Sequence, residues 1–214
     1  NIDFVSSPNI GPKMKAGLPD TVVIHYTAGA NAASSIRSLT DLNSKASAHI
    51  VVAKDGTLTQ LVPFDTIAWH AGKSSYKDRV GLNQYAIGIE IDNAGPLTKT
   101  EDGRYLSWFG KAYPAEEALL LTHANEKEPR YWHAYTPEQI EAVFSLCRLL
   151  KDTYPIEHVL GHEEIAPIRK SDPGPAFPMQ KLRSFLFESR NMEVAADANE
   201  KTLGTVTAHL LNIR

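Results

Sequence analysis

The chain has 214 residues, 43% of them hydrophobic and 22% charged, with a formal net charge of -3 at pH 7. This composition predicts a globular protein with one main domain, and the absence of a dense Lys/Arg block argues against a nucleic-acid partner. Cys147 is the only cysteine, which excludes a disulfide framework and a cysteine-rich zinc site, and no apolar run reaches the ~18 residues that a transmembrane helix needs.

The first part of the chain predicts a strand, a short helix and a hairpin. Residues 21–26, TVVIHY, follow a turn and are β-branched and apolar, so they predict a buried strand that ends near His25. The stretch AASSIRSLTDL places apolar side chains at helical spacing and predicts a helix. Residues 47–62 then predict a β-hairpin whose turn is formed by Asp55 and Gly56.

A further strand is predicted at residues 85–92, YAIGIEID. Its isoleucines alternate with Gly88, Glu90 and Asp92, which predicts one face packed in the core and one face that carries acidic side chains. From residue 95 to residue 135 the pattern dissolves into roughly 40 residues of mixed aromatics, charges and prolines. A segment of this length is either functional or a local elaboration of the fold.

A regular pattern returns in the second half of the chain. Thr136 and Gln139 form a capping box, and the residues that follow carry one apolar stripe, so a helix is predicted here. The stretch EHVLGH predicts a strand that ends at His162, and a final helix is predicted to begin at Pro178. Strands and helices are therefore expected to mix along the chain.

The C-terminal residues have a different character. Residues 191–202 are polar and lack periodicity, which predicts a linker. Residues 203–214 look strand-like and resemble the opening strand of a bacterial SH3 domain. We therefore expect a main domain over residues 1–190, followed by a linker and the start of a truncated SH3-like, wall-binding domain.

The segment from residue 159 to residue 177 gathers ionisable groups around three prolines. His162 and Glu163 begin like the H-E-x-x-H helix of zinc proteases, but the second histidine is missing because Ala166 occupies its position. The prolines also prevent a continuous helix. The segment is therefore predicted to be a stiff loop that presents its side chains to a site.

Three candidates for metal ligands stand at the ends of predicted elements or in this loop, namely His25, His162 and Asp172. Two imidazoles and one carboxylate suit zinc and leave a fourth position open for water. Zinc lowers the pKa of a bound water from 15.7 to about 7, which favours hydrolysis as the reaction. A single histidine at a strand end is more often a structural, hydrogen-bonded residue, so the metal interpretation depends on the three residues together.

A hydrolytic site also needs a proton acceptor and a group that stabilises an oxyanion. Glu90 on the polar face of its strand and Lys170, two residues before Asp172, fit these two roles. Other interpretations stay open at this point. Asp92 is an alternative base, and Lys170 is also compatible with a surface ion pair to a neighbouring glutamate.

Three further residues are candidates for substrate contacts. Trp69 and His70 lie in the stretch AWHAG, a predicted loop rich in small residues, where an aromatic–histidine pair often contacts a ligand. His49 in SAHIVVAKDG is the third candidate, although a histidine at this place is also compatible with a simple strand position. We also expect aromatic residues of the long segment, such as Trp108, Tyr131 and Trp132, to wall a groove beside the candidate zinc site.

Several of these stretches, in this order, resemble the type 2 family of zinc-dependent N-acetylmuramoyl-L-alanine amidases, relatives of phage lysozyme amidases and peptidoglycan-recognition proteins. The resemblance covers about residues 20–190 and is carried by VVIHYTA, SAHIVVAKDGTLTQLV, AWHAG, AIGIEI and GHEEIAPIRKSDPGPAF. It implies an α/β fold with a mixed central β-sheet flanked by helices and with zinc in a surface groove. It also implies His25, His162 and Asp172 as zinc ligands, Lys170 as oxyanion stabiliser and Glu90 as general base.

The activity implied by the resemblance is cleavage of the amide between N-acetylmuramic acid and L-alanine in peptidoglycan or in muropeptides. The competing hypothesis is a non-catalytic module that binds peptidoglycan, but such relatives lack a complete ligand set. A periplasmic, secreted or wall-associated location is favoured, and muropeptide recycling in the cytoplasm is the alternative. The long segment after residue 95 is a departure from compact family members and leaves open which form of the substrate is used.

Overall fold

The structure of the protein, a computed structural model, describes residues 2–188. In chain order the strands are β1 (Ile2–Phe4), β2 (Ile10–Lys13), β3 (Thr21–Tyr26), β4 (Ile50–Val52), β5 (Leu58–Gln60), β6 (Thr66–Ala68), β7 (Ser75–Tyr76), β8 (Arg79–Val80), β9 (Ala86–Ile91), β10 (Pro96–Lys99), β11 (Tyr105–Leu106), β12 (Ala112–Tyr113), β13 (Ala118–Leu121), β14 (Arg130–His133) and β15 (His158–Gly161). The helices are α1 (Ala32–Thr40), α2 (Pro137–Thr153), α3 (His162–Ile165) and α4 (Met179–Phe187). The predicted linker and SH3-like strand lie outside the described residues.

Six strands form the central sheet in the order β1-β5-β4-β9-β3-β15. The four neighbours β4, β9, β3 and β15 are parallel, whereas β5 runs antiparallel to β4 as the predicted hairpin requires. Parallel neighbours need crossover connections, which here carry helices or further strands. The carboxyl ends of β3, β9 and β15 therefore lie at one edge of the sheet.

The register of the parallel strands brings distant residues level with one another. His25 in β3 is the partner of Glu90 in β9. On the other side of β3, Gly161 of β15 is the partner of Ile24. Since His162 directly follows Gly161, it reaches the level of His25. One edge of the sheet thus collects side chains from three strands.

Helices α2 and α4 cover one face of the central sheet. The isoleucine face of β9 packs against this layer, as the alternation in the sequence predicts, and the shared core includes Ile87, Ile89, Ile91, Val143, Leu146, Leu150, Leu182 and Leu186. Each fully buried aliphatic side chain of this kind contributes about 1.5–3 kcal/mol relative to an exposed position. The buried thiol of Cys147 belongs to the same core.

The opposite face of the central sheet is covered as well. Smaller clusters around Val23 and Val51 close it, and α1 packs against the second of them. On this face a Cβ atom at Gly88 would lie 2.4 Å from the ring of His70, so the glycine is required for close packing. The second face of β9 carries Glu90, as expected, but this face is covered by neighbouring residues and is not exposed to solvent along its length.

The start of α2 follows the capping box that the sequence predicts. The Thr136 hydroxyl accepts a hydrogen bond from the backbone N–H of Gln139, and the Gln139 side chain accepts one from the N–H of Thr136. The same glutamine donates to the carbonyl of Asp92 over 2.8 Å, which ties the helix to the end of β9. Within the described part of the chain, no helix combines the length and apolar character needed to span a bilayer.

The segment that looked irregular in the sequence forms a second sheet. Strands β10 to β14 make a five-stranded sheet in the order β12-β11-β10-β14-β13, with antiparallel neighbours throughout. The segment is attached to the end of β9 by Asn93, whose side-chain amide donates to the carbonyls of His133 and Ala134. The segment is therefore an ordered sheet attached to the central one, and we call it the antiparallel subsheet.

Candidate active site

The three predicted metal ligands meet at the edge of the central sheet. His25 lies near the end of β3, His162 begins α3 directly after β15, and Asp172 lies in the loop that follows α3. The His25 Nδ1 atom is 2.9 Å from Nδ1 of His162 and 2.8 Å from Oδ2 of Asp172. The distance from His162 Nδ1 to the same carboxylate oxygen is 3.0 Å. All three side chains are buried.

The hydrogen-bond partners on the far sides of the rings define the histidine tautomers. Nε2 of His162 lies 3.1 Å from the carbonyl of Ala71, so it carries the proton and donates. Nε2 of His70 likewise donates to the carbonyl of Ala86, over 3.2 Å, which leaves its Nδ1 as an acceptor. That Nδ1 is 3.0 Å from Nε2 of His25 and accepts a hydrogen bond from its N–H. The Nδ1 lone pairs of His25 and His162 therefore both face the cluster.

This arrangement fits a divalent metal ion. Two imidazole nitrogens and one carboxylate oxygen converge within 4.8 Å of one another, and among the described residues they form a group able to hold a metal. Atoms that present lone pairs to one another attract only if a proton or a cation lies between them. A set of two His and one Asp is a known zinc ligand set that leaves a fourth position for water. Partners behind the ligating rings, as found here, fix ring orientation.

The protonation of the cluster also suits metal binding, because metals bind neutral imidazoles and ionised carboxylates. Burial lowers the pKa of His25, the contact with Asp172 offsets this only in part, and the resulting pKa is about 4. For Asp172, burial by itself would raise the pKa, but hydrogen bonding with His162 and His25 outweighs burial, and the pKa lies well below its usual value. Near neutral pH, His25 is thus neutral and Asp172 ionised.

Glu90 is the unusual acid of the site. Its side chain is partly accessible from the cavity, but Oε2 is buried and has no hydrogen-bond partner among the described residues. Burial raises the pKa of this carboxyl well above its usual value, the negative charge of Asp172 raises it further, and Lys170 acts in the opposite direction. A carboxyl with a raised pKa and no structural partner is a typical acid–base group.

These residues line one cavity of about 340 Å³. Its lining consists of His25, Tyr26, Thr27, Ala28, His70, Glu90, His162, Arg169, Lys170, Ser171 and Asp172. Both predicted catalytic residues thus share the cavity with all three predicted metal ligands. A larger cavity of about 860 Å³ lies beside Arg169, but its lining holds none of the predicted metal ligands or catalytic residues.

The three predicted substrate-contact residues occupy different positions. His70 lines the cavity and contacts His25 from behind, with the two rings edge to face at 5.1 Å. Trp69 is partly exposed beside it. His49 is fully buried, and both of its nitrogens are engaged, since Nδ1 accepts from the N–H of Gly88 and Nε2 donates to the carbonyl of Thr66. Contact with substrate stays a prediction for all three.

Sequence reasoning missed the residues that fix the loop carrying Asp172. The Glu163 carboxylate accepts from the N–H of Gly174 and from Nε2 of His123, both over 2.9 Å. The His123 ring is stacked on Trp132. Trp132 is almost fully buried, so the prediction that it walls the groove is wrong. Glu163 carried a signal in the sequence, because it stands beside His162, but its partner in the antiparallel subsheet is 40 residues away.

The amino-acid sequence was compared with models of protein families. Residues 15–175 match the model for N-acetylmuramoyl-L-alanine amidase. The chain belongs to this family. The match includes all three cluster residues as well as Glu90 and Lys170, so the whole candidate site lies inside the family's domain.

Curated members of the amidase family are similar to this chain at about one-third identity. The 1,6-anhydro-N-acetylmuramyl-L-alanine amidase AmpD of Escherichia coli K12 is 33% identical over 141 residues, which is 65% of this chain and 57% of that protein. The N-acetylmuramoyl-L-alanine amidase AmiD of the same strain is 34% identical over 170 residues, 75% of this chain and 51% of that protein. The chain thus spans little more than half the length of these relatives.

Solved structures of amidases share the fold. A selenomethionine derivative of AmpD matches with a TM-score of 0.60 and 26% identity over 86% of this chain and 94% of that one. AmiD from E. coli, solved in complex with the substrate anhydro-N-acetylmuramic acid-L-Ala-D-γ-Glu-L-Lys, matches with a TM-score of 0.57 and 30% identity. That match covers 89% of this chain and 65% of the AmiD chain. The mixed α/β fold predicted from the sequence is confirmed.

Proposed function

We propose that this chain is a zinc-dependent hydrolase that cleaves the amide between N-acetylmuramic acid and L-alanine in muropeptides or peptidoglycan. The observation that carries the proposal is the convergence of His25, His162 and Asp172 in the cavity that also contains Glu90. Family membership gives the reaction class, and the complexes of relatives with muramyl peptides support the choice of substrate.

His25, His162 and Asp172 would hold the zinc ion through Nδ1, Nδ1 and a carboxylate oxygen, because those atoms face one another. When bound there, zinc supplies Lewis acidity and promotes the ionisation of water. The chain keeps the ligands in place from behind. His70 orients the His25 ring, and the carbonyl of Ala71 orients the His162 ring.

Glu90 is proposed to move the proton. As a carboxylate it would accept a proton from the attacking water, and as a carboxylic acid it would return that proton to the leaving amine of L-alanine. Its raised pKa favours the return step, whereas the positive charge of a zinc ion held by the histidine–aspartate cluster would favour the carboxylate that begins the cycle. Asp92 is a poorer candidate because its side chain does not line the cavity.

Lys170 is proposed to stabilise the negative charge that develops on the carbonyl oxygen of the lactyl group. It lines the same cavity as the three residues of the metal cluster, so it belongs to the space in which the scissile amide would lie. Groups that are already positioned for developing charge are typically worth about 10²–10³ in turnover.

The proposal is tested by incubating the protein with equimolar zinc and a purified muramyl tripeptide and by following release of the free peptide by chromatography and mass spectrometry. We expect release that requires zinc and is abolished by a chelator. The matched control is Glu90→Gln, which removes the acid–base group but keeps the shape of the side chain. If the loaded protein binds the muramyl peptide and releases nothing, it is a peptidoglycan-recognition module and the amidase proposal is wrong.

A further inference from the structure

Trp108 is an exposed aromatic side chain that is held in a fixed position. It lies in the turn between β11 and β12, at one end of the antiparallel subsheet, and 77% of its surface is exposed. The indole Nε1 donates to the carbonyl of Ala28 over 2.8 Å. The ring also meets Phe109 edge to face at 5.6 Å. An exposed indole with this anchoring keeps a face free and loses little entropy when a ligand packs on it.

The anchor point belongs to the segment that follows the zinc-binding strand. Ala28 comes three residues after His25, and its φ of 50° lies in the left-handed region that alanine rarely adopts. This conformation is held by the N–H of Ala28, which donates to the carbonyl of Asn93 over 3.0 Å. Strained conformations of this kind tend to occur at functional sites. Here its carbonyl accepts from Trp108.

Trp108 lines a cavity that continues from the catalytic cavity. This second cavity has a volume of about 310 Å³ and is lined by Thr27, Ala28, Gly29, Ser34, Ser35, Ser38, Leu39, Glu90 and Trp108. Thr27, Ala28 and Glu90 line both cavities. If the scissile amide lies between Glu90 and the metal cluster, one of the two groups that it joins, the muramyl group or the peptide, would therefore lie in the cavity beside Trp108.

The chemistry of the second cavity suits a neutral sugar. Its lining combines an aromatic face with four hydroxyl-bearing side chains, and none of the described residues that line it is a lysine or arginine. Ser34 and Ser35 both donate to the carbonyl of Asn31, and Ser34 Oγ also accepts from the N–H of Asn31, so each hydroxyl oxygen keeps at least one lone pair that can accept from a hydroxyl or amide group of a ligand. An apolar ring face on tryptophan and polar edges on serines match a pyranose.

The other side of the catalytic cavity has the opposite character. Arg169 lines the catalytic cavity and also borders the larger neighbouring cavity together with Lys73, and Lys170, the next residue, lines the catalytic cavity as well. The stem peptide of a muramyl substrate carries carboxylates, which cationic side chains bind well. The end beside Trp108 has no basic side chain in its described lining and suits the neutral sugar. The end beside Arg169 is basic and suits the acidic stem peptide.

We propose that the cavity beside Trp108 is the subsite for the N-acetylmuramic acid ring and that the stem peptide extends past Arg169. This inference rests on the proposed amidase function. It makes Trp108 a specificity-determining residue that comes from the antiparallel subsheet, and it orients the substrate from the sugar end at Trp108 to the peptide end at the basic side of the cavity.

The first test compares two substrates that share the scissile amide. One is N-acetylmuramyl-L-Ala-D-Glu, and the other is D-lactyl-L-Ala-D-Glu, which lacks the sugar ring. Trp108→Ala should lower kcat/KM for the muramyl peptide by about tenfold, mainly through KM, because the ring loses its aromatic contact. For the lactyl peptide the change should be less than about twofold. Trp108→Phe should recover part of the loss.

Leu120→Ala is the matched control, since Leu120 is also an exposed apolar residue of the subsheet but lines none of these cavities. It should leave both substrates unaffected. An equal loss on both substrates in Trp108→Ala would overturn the proposal and place the lactyl-peptide portion at Trp108. No loss on either substrate would also overturn it.

A binding test keeps the subsite proposal separate from the amidase proposal. Free N-acetylmuramic acid is titrated into the parent protein and into Trp108→Ala, and affinities are measured by calorimetry or by ligand-observed NMR. The parent should bind the sugar at least about fivefold more tightly. If the parent hydrolyses nothing but shows this difference, the amidase proposal fails and the sugar subsite stands. Equal affinities would overturn the subsite.

Discussion

The central sheet and the antiparallel subsheet differ in how their strands are buried. β3 and β9 have six residues each and are covered on both faces, so almost every side chain is buried. The strands of the subsheet have two to four residues, and several of their apolar side chains, such as Leu119 and Leu120, are exposed. The long parallel strands place His25 and Glu90 inside a packed sheet, whereas the short antiparallel strands contribute surface.

The difference between the two sheets extends to their histidines. In the central sheet, His25 directs Nδ1 toward a carboxylate and another histidine, which is an arrangement for a cation. In the subsheet, Nδ1 of His133 accepts from the backbone N–H of Ala94 over 3.0 Å, and Nε2 lies 3.1 Å from Glu117. That histidine is committed to structure. Burial alone therefore does not distinguish a ligand from a structural residue, but the partners of its nitrogens do.

The largest effect is expected from a ligand on the central sheet. His25→Ala should lose bound zinc and reduce amide hydrolysis to background, because one of three protein ligands is gone. The circular dichroism spectrum should stay that of the parent, since the hydrophobic core lies elsewhere on the sheet. Elemental analysis measures the metal. One zinc per chain in this variant would remove His25 from the ligand set.

Glu90 lies in β9 beside His25 of β3, and Glu90→Gln should strongly reduce catalysis without removing the metal. The variant keeps the metal ligands and should keep zinc, but turnover should fall by about 10²–10⁴ because the proton acceptor is absent. Stopped assays with muramyl peptide and zinc analysis on the same sample test this. Near-normal turnover would transfer the base role to another group.

Lys170→Met should have a somewhat smaller effect than the glutamate substitution. The side chain keeps its apolar stem but loses the charge, so turnover should fall by about 10²–10³ while zinc content is unchanged. Lys170→Arg serves as the matched control and should restore part of the rate if positive charge is what matters. A loss of zinc in the methionine variant would show that Lys170 supports the metal site instead.

A pH experiment tests the structural role assigned to the histidine of the subsheet. Burial, together with the nearby charges of Lys54 and Lys111, lowers the pKa of His133 to about 3, whereas in the unfolded chain it is near 6.5. Between about pH 3 and pH 6.5 this histidine binds a proton in the unfolded chain but not in the folded chain. Its contribution to the free energy of unfolding is therefore fully present above pH 6.5 and is lost as the pH falls. The slope from this group is at most about 1.4 kcal/mol per pH unit.

Urea unfolding of the parent and of His133→Gln at several pH values between 7 and 5 measures that slope. The variant lacks the titration, so its free energy of unfolding should decline less steeply with falling pH, even if its stability at pH 7 is lower. Equal slopes would show that other groups, such as His49 with its pKa lowered by burial to about 4, account for the acid sensitivity.

The smallest effect is expected on the outer surface of the subsheet. Leu120 in β13 is 54% exposed, so Leu120→Ser should change the free energy of unfolding by less than about 0.5 kcal/mol and leave kcat/KM unchanged. Urea unfolding and the muramyl peptide assay check both quantities. A loss of more than about 1 kcal/mol would indicate that this surface is covered by another part of the protein.

Much of the fold was predictable because its signals are local. The apolar run that forms β3, the hairpin turn at Asp55 and Gly56, and the capping box of Thr136 and Gln139 each depend on neighbours in the sequence. The subsheet was not predicted, because strands of two to four residues are too short to establish a period-2 pattern. Its chain segment therefore looked irregular.

The sequence by itself determined which side chains are available for chemistry, since residue types and motif spacing identify His25, Glu90, His162, Lys170 and Asp172. Only the tertiary structure decided what those side chains face. His25 and Asp172 are 147 residues apart and meet because β3 and β15 are parallel neighbours in one register. The placement of His70 behind His25 and of Trp132 beneath the loop of Asp172 depends on the same packing. Local patterns encode periodicity, whereas long-range partners depend on sheet order and register, which no short stretch of sequence specifies.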